Sequence, residues 1–272
     1  MIFLQKFFFL ITLILYSKDN WIRFETKHFT IFYEGNWQIP YLSMEIERIY
    51  SLMDLNLSYF APWMHHEKTN IYIYSSRESY IKGEFKPPKW SKGLAFWDKR
   101  IIVVYNDKEK KNLIPTIVHE LTHLYFESFF AQKLTHPPLW LNEGLAVYME
   151  DKSYDSEGLW ERALKYSEQT VYMKFNDFLK TDVRSLKTDN EIANWYLEAY
   201  GVIRYLKEIY SQNSFYRFCD DLARGSTIEK TLWKSFGIFD LDDFEKKWFR
   251  WLGEFKIRKE NKLEFRPFKK IE

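Results

Sequence analysis

Two histidines and a glutamate stand close together in the segment His119-Glu120-Leu121-Thr122-His123. On a helix, residues four apart lie on one face, one turn from each other, so both imidazoles can reach a common point. Neutral imidazoles suit zinc, and a catalytic zinc site has three protein ligands and one open position for water. Glu120 would accept a proton from that water as it attacks a carbonyl, and would pass the proton to the leaving amine. The spacing therefore predicts metal-assisted hydrolysis.

The element that carries this segment is predicted to be a buried helix over residues 113–130. Apolar residues recur there at helical spacing, at Leu113, Ile114, Ile117, Val118, Leu121 and Leu124. Two histidines and a carboxylate on such a helix are costly without a partner, and a metal would supply one. The alternative is an ordinary helix whose histidines and glutamate face water.

A second helix is predicted directly afterwards, over residues 138–149. It opens with Pro137 and Pro138, which a helix start tolerates. Glu143 then falls in the first turn of this helix. A glutamate there is favoured by the helix dipole, so a purely structural role is the alternative to a role in metal binding.

The chain carries two motifs, His-Glu-Leu-Thr-His at 119–123 and Trp-Leu-Asn-Glu-Gly-Leu-Ala at 140–146. Through these motifs it resembles the gluzincin peptidases, and more closely the peptidase MA-like family of bacterial proteins. The wider resemblance covers most of residues 21–252. It implies a zincin-like α+β fold and a zinc metallopeptidase with one zinc ion per chain. The ligands that it implies are His119, His123 and Glu143, with Glu120 as the residue that activates water.

The resemblance also implies a residue that stabilises the oxyanion, and two tyrosines are candidates for it. Tyr196 matches the family's tyrosine position best, and Tyr200 lies one turn further along the same predicted helix. Because both fall on an apolar stripe, the alternative is that they belong to the core. A predicted hairpin at 94–105 resembles the strand along which gluzincins bind extended substrates, although an ordinary hairpin fits equally.

The other ring nitrogen of each zinc-binding histidine needs a hydrogen-bond partner. Asn142, Glu150 and Asp151 are the candidates, and the sequence does not choose among them. Val147 stands where thermolysin-like members carry an aspartate, which argues against a close relationship with that subgroup.

The order of predicted elements gives an α+β architecture. Strands are expected at 29–33 and 70–74, in the hairpin at 94–105, and in an extended stretch from 21, with a first helix over 40–58. Helices follow from 113 onward, including 192–206, 212–224, 227–236 and 241–252. We therefore expect a β-containing part (21–131) and a helical part (132–252) of one zincin domain, with the active site between them, and a basic tail at 253–272.

The first twenty residues predict export or anchoring. Residues 7–16 form an apolar run after a single positive charge at Lys6. The run is too short for an ordinary transmembrane helix and fits a secretory signal, whose cleavage is left open. The expected location is outside the cytoplasm of a bacterium, with membrane association through the N-terminus if the segment is retained; a buried first strand or helix is the alternative.

The amino-acid composition limits the remaining classes of function. The formal net charge is +2 with 29% charged residues, so the one-sided basic surface that nucleic-acid binding needs is not indicated. The expected partner is a peptide or protein substrate. Two rival functions stay open, namely a catalytically inactive scaffold with the same fold and a zinc hydrolase of a non-peptide amide or ester.

Overall fold

A mixed sheet followed by a series of helices makes up the computed structural model, which describes residues 14–15, 21–35, 39–106, 113–167 and 170–264. The strands are β1 (Ile14–Leu15), β2 (Trp21–Glu25), β3 (Phe29–Glu34), β4 (Thr69–Tyr74), β5 (Gly93–Phe96) and β6 (Ile101–Tyr105). The helices are α1 (Ile39–Leu57), α2 (Arg77–Lys82), α3 (Leu113–Ala131), α4 (Leu139–Lys152), α5 (Leu159–Lys165), α6 (Phe175–Phe178), α7 (Asp189–Ile209), α8 (Gln212–Ala223), α9 (Ile228–Phe236) and α10 (Leu241–Glu264). The α+β class is confirmed.

The chain divides into two compact units, and the boundary falls within α3. The first unit holds Pro62–Leu124 and the residues up to Ser58; the second holds Tyr59–Ala61 and the chain from Tyr125 onward.

The sheet of the first unit has the strand order β1-β2-β3-β4-β6-β5. The strands β3, β4 and β6 run parallel, while β2 and β5 pair antiparallel with β3 and β6. The chain must therefore cross over between β3 and β4, and α1 makes that crossover. Helix α1 lies against the start of β3, where the rings of Phe29 and Tyr50 meet edge to face at 6.3 Å between centroids.

Alternation along the strands separates two apolar layers. In β3 and β4 the fully buried side chains include Phe29, Ile31, Ile71 and Ile73. On the other face, Tyr74, Tyr80 and Val103 form a smaller cluster. The residues packed against this cluster are Trp21, Tyr72, Ile81, Phe85, Leu94, Phe96, Ile101 and Tyr105. Because Leu94 and Phe96 face this cluster, Gly93 and Ala95 face the opposite side of the sheet.

The second unit is helical, with α4 and α7 packed closely together. Gly144 of α4 makes this approach possible, since a Cβ atom there would come within 2.7 Å of the Ala199 carbonyl oxygen of α7. Further along α7, a Cβ atom at Gly201 would lie 3.3 Å from the ring of Trp248 in α10. Helix α7 is thus the central element of this unit.

Three short helices, α2, α5 and α6, were not predicted, and α10 is longer than expected. The sequence pattern predicted that this helix ends at 252, whereas the helix continues to Glu264. Phe255 is 2% exposed. The first part of the predicted basic tail is therefore helical and packed.

Most of the predicted export signal lies outside the described residues, so export stays a prediction. Ile14 and Leu15 pair antiparallel with Arg23 and Ile22. Across the described part of the chain, no helix combines the length and apolar character needed to cross a membrane.

Candidate metal centre

His119 and His123 lie one turn apart on α3, and their Nε2 atoms are 3.1 Å from each other. The opposite side of the helix fixes this orientation, because Ile117, Val118 and Leu121 are fully buried. Two zinc-bound nitrogens in a tetrahedral site are about 3.3 Å apart, given Zn–N bonds of about 2.0–2.1 Å. The two imidazoles therefore point at a common position at the spacing that one metal ion needs.

Glu120, between the two histidines, is 8% exposed and lies directly under the edge strand β5. A Cβ atom at Gly93 would come within 2.5 Å of Glu120 Cγ and Oε1. The backbone of β5 can therefore approach the carboxylate only because residue 93 is a glycine. The sequence singled out Glu120 but did not predict that Gly93 would lie against it.

Tyr80 of α2 supports the chain that leads into β5. Its hydroxyl lies 2.8 Å from Ser91 Oγ, and the Ser91 hydroxyl lies 3.0 Å from the Pro88 carbonyl oxygen. Burial raises the pKa of Tyr80, and the nearby negative charge of Glu120 raises it further. Tyr80 thus remains a neutral phenol that anchors the residues just before Gly93.

Glu143 is the fifth residue of α4 and lies just after its first turn, whereas the sequence placed it in the first turn; the helix begins only at Leu139, after Pro138. His119, His123 and Glu143 each offer one ligand atom, and these atoms all lie within 4.8 Å of one another. Two imidazole nitrogens and one carboxylate oxygen form the donor set of catalytic zinc sites with an open position. By donor chemistry and spacing the three residues could bind a metal ion.

A hydrogen bond beside Glu143 was not anticipated. Asn142 Nδ2 donates to Glu127 Oε1 at 2.8 Å. Glu127 lies four residues after His123 on α3, so helical spacing was the signal that could have drawn attention to it. Asn142 is 8% exposed.

The two candidate tyrosines have different surroundings on α7. Tyr200 is 1% exposed; its hydroxyl donates to Asp151 Oδ2 at 2.8 Å and accepts from Arg204 Nη1 at 2.5 Å. This assigns Tyr200 a structural role. Tyr196 is half-buried, and its ring lies 6.1 Å from that of Trp160. The catalytic role of Tyr196 stays a prediction.

Asp151 is also engaged in structure. It accepts hydrogen bonds from the backbone N–H groups of Trp160 and Glu161, at 2.9 and 3.2 Å, as well as from Tyr200. Burial raises the pKa of Asp151, and these hydrogen bonds oppose that shift. Asp151 thus uses its two oxygens to cap α5 and to bind Tyr200, which gives it a structural role.

Fold and site together describe an α+β protein with a metal-capable group of two histidines and a glutamate on successive helices. The sequence model of the Peptidase MA superfamily matches residues 64–254, which is more than half of the chain. The chain therefore belongs to the Peptidase MA superfamily, a group of peptidases. Comparison with curated proteins gives no match.

Proposed function

We propose that this protein is a zinc-dependent metallopeptidase of the gluzincin type, with a zincin-like fold and one zinc ion per chain. His119, His123 and Glu143 are its ligands. The observation that carries the proposal is that these three side chains bring ligand atoms within 4.8 Å of one another. The membership of the superfamily supports the reaction class.

The donor set fits zinc better than a harder cation. Magnesium and calcium prefer sites made of oxygen atoms, whereas zinc accepts imidazole nitrogen together with carboxylate oxygen. A bound zinc ion would supply Lewis-acid chemistry, polarising a carbonyl oxygen and making water more acidic.

Glu120 acts as the general base and then as the general acid. Its carboxylate accepts a proton from the attacking water and delivers this proton to the nitrogen of the leaving amine. The contact with the Gly93 backbone limits the directions that the Glu120 side chain can take. A base held in one direction needs less reorganisation during proton transfer.

Two further assignments belong to the same proposal. Tyr196 donates a hydrogen bond to the oxyanion that forms at the attacked carbonyl. The edge strand β5 pairs with an extended peptide through backbone hydrogen bonds. Its first residue, Gly93, already lies against Glu120, so a peptide aligned on β5 passes close to the base.

We further propose that the protein is exported or anchored outside the cytoplasm of a bacterium. The support is the charge-then-apolar order of its first residues. Protein recovered from the cytosol with Met1 still present would contradict export.

The test of function is hydrolysis of a fluorogenic peptide library by the zinc-loaded protein and by Glu120→Gln. We expect Glu120→Gln to keep its zinc and to lose roughly 10²- to 10⁴-fold in kcat, the range of general acid–base catalysis. Glu229→Gln, a change at an exposed residue of α9, is the matched control and should cleave like the parent.

Three other outcomes count against the proposal. Zinc-loaded parent protein that cleaves no peptide, but hydrolyses amide or ester model compounds, supports the non-peptide hydrolase. Parent protein with neither activity supports the inactive scaffold. Peptide cleavage that Glu120→Gln retains would contradict the role of Glu120.

A further inference from the structure

Three consecutive residues at the start of α4 are oriented towards different neighbours. Asn142 Nδ2 donates to Glu127 Oε1 of α3 at 2.8 Å. Gly144 lies against α7, where a Cβ atom would meet the Ala199 carbonyl oxygen at 2.7 Å. Glu143 stands between them in sequence, and successive side chains on a helix point about 100° apart. The contacts of Asn142 and Gly144 therefore fix the direction in which Glu143 points.

Helix α4 lacks a side-chain cap of its own. Its N-cap residue is Pro138, whose side chain has no hydrogen-bonding group. A side-chain cap normally fixes where a helix begins. The start of α4 is instead held by neighbouring helices, by α3 at Asn142 and, in the second turn, by α7 at Gly144.

The acceptor of the Asn142 hydrogen bond, Glu127, lies on the face of α3 that carries the histidines. Glu127 follows His119 by eight residues and His123 by four, so the three side chains project along one side of the helix. An ionised carboxylate as acceptor makes the bond charge-assisted, and such bonds are roughly twice as strong as neutral ones. Asn142 is 8% exposed, so little water competes for its amide.

We propose that Glu127 is a positioning residue of the metal centre. By binding Asn142 it sets the first turn of α4 relative to the histidine face of α3, and thereby places the Glu143 carboxylate. This inference rests on the proposed function, because it needs Glu143 to be a ligand.

The expected effect is on zinc affinity. Glu127→Ala removes the acceptor, and we expect zinc affinity to fall about 10- to 100-fold. Removing the hydrogen-bond partners of metal ligands has an effect of this size in other metalloproteins. Glu127→Gln keeps an oxygen acceptor for Asn142, so its affinity should fall by less than about fivefold. Glu127→Ala combined with Asn142→Ala should bind zinc no more weakly than the weaker single variant, because both remove the same bond.

Affinity is measured on the full-length protein by competition with a chromophoric chelator, and the site is probed by the visible spectrum of bound cobalt(II). Thr231→Val is the control for a purely structural effect. It removes a buried hydroxyl-to-carbonyl bond of 2.8 Å within α9 and should leave both readouts unchanged. The metal-free melting temperature of each variant shows that it folds.

The outcomes separate this inference from the proposed function. If parent protein binds zinc and Glu143→Ala does not, but Glu127→Ala binds like the parent, the inference is wrong and the proposed function stands. If Glu127→Gln loses as much affinity as Glu127→Ala, the hydrogen bond is not the cause and the inference is also wrong. If parent protein binds no zinc, both fail.

Discussion

Tyr200 is buried, and both Asp151 and Arg204 bind its hydroxyl. Such a hydroxyl cannot turn towards a substrate without leaving a buried carboxylate and a guanidinium short of a partner, which costs more than an ordinary hydrogen bond. At the scale of single residues, the two candidate tyrosines of α7, Tyr196 and Tyr200, should therefore behave differently when each loses its hydroxyl.

We expect Tyr196→Phe to lower kcat by roughly 10²-fold, as removal of one oxyanion donor does, with zinc content and melting temperature unchanged. Tyr200→Phe should instead lower the free energy of unfolding by about 1–3 kcal/mol and leave kcat close to that of the parent. Steady-state kinetics and urea denaturation of both variants check this. Unchanged turnover in Tyr196→Phe would remove that residue from the mechanism.

Between elements, the close contact of β5 with α3 is the feature most directly tied to the proposed catalysis. The Gly93 backbone lies against the flexible end of Glu120. An added methyl group would displace the carboxylate without forcing two backbones apart, since a side-chain end moves more easily than a main chain.

Gly93→Ala should therefore lower kcat at least tenfold, because a misplaced base loses much of its rate advantage. Its zinc content and melting temperature should stay near those of the parent. Gly253→Ala in α10 is the control, since a Cβ atom there meets nothing within 4 Å. Full activity in Gly93→Ala would show that Glu120 is not held by β5.

The sequence predicted elements well where their own pattern determines them. Helix α3 has a continuous apolar stripe, and its predicted range, 113–130, differs from Leu113–Ala131 by one residue. Helix α5 was missed because its start is capped by Asp151, nine residues before Trp160. No local pattern shows that a residue of one helix caps the next.

The same limit applies to the candidate site. The ligand set came from short motifs and a family resemblance, and its three side chains do approach one another. The contacts that orient them, Gly93 with Glu120 and Asn142 with Glu127, join distant parts of the chain. They depend on how the elements pack, so residue spacing alone does not predict them.

For the stability of the molecule, Glu198 of α7 is an exceptional residue. It is 1% exposed; its Oε2 accepts a hydrogen bond from the Met173 N–H at 2.9 Å, while its Oε1 is buried without a hydrogen-bond partner among the described residues. Burial raises the pKa of Glu198 to about 8, and the negative charge of Glu245 adds to this. In the folded protein this carboxyl group is therefore mainly protonated at neutral pH.

Because the pKa of Glu198 is higher in the folded than in the unfolded chain, the folded state holds its proton more tightly. The stability contributed by that proton is fully present below pH 4.5, the ordinary pKa, and is lost as pH rises to about 8. The free energy of unfolding should fall across this window by on the order of 3–5 kcal/mol from this group.

Glu198→Gln should remove this dependence. In urea denaturation of the metal-free protein, the variant should be more stable than the parent at pH 8 by a few kcal/mol and similar to it at pH 4.5. The exposed change Glu229→Gln should follow the parent at both pH values. If the free energy of unfolding changed with pH equally in the parent and in Glu198→Gln, Glu198 would be ionised in the folded state.

The central claim is that two helices supply one zinc site, and elemental analysis of the purified protein tests it most directly. We predict one zinc ion per chain in the parent, and loss or strong weakening of binding in Glu143→Ala. The same measurement contradicts the account if the parent holds no zinc after incubation with the metal, or if Glu143→Ala binds zinc as tightly as the parent.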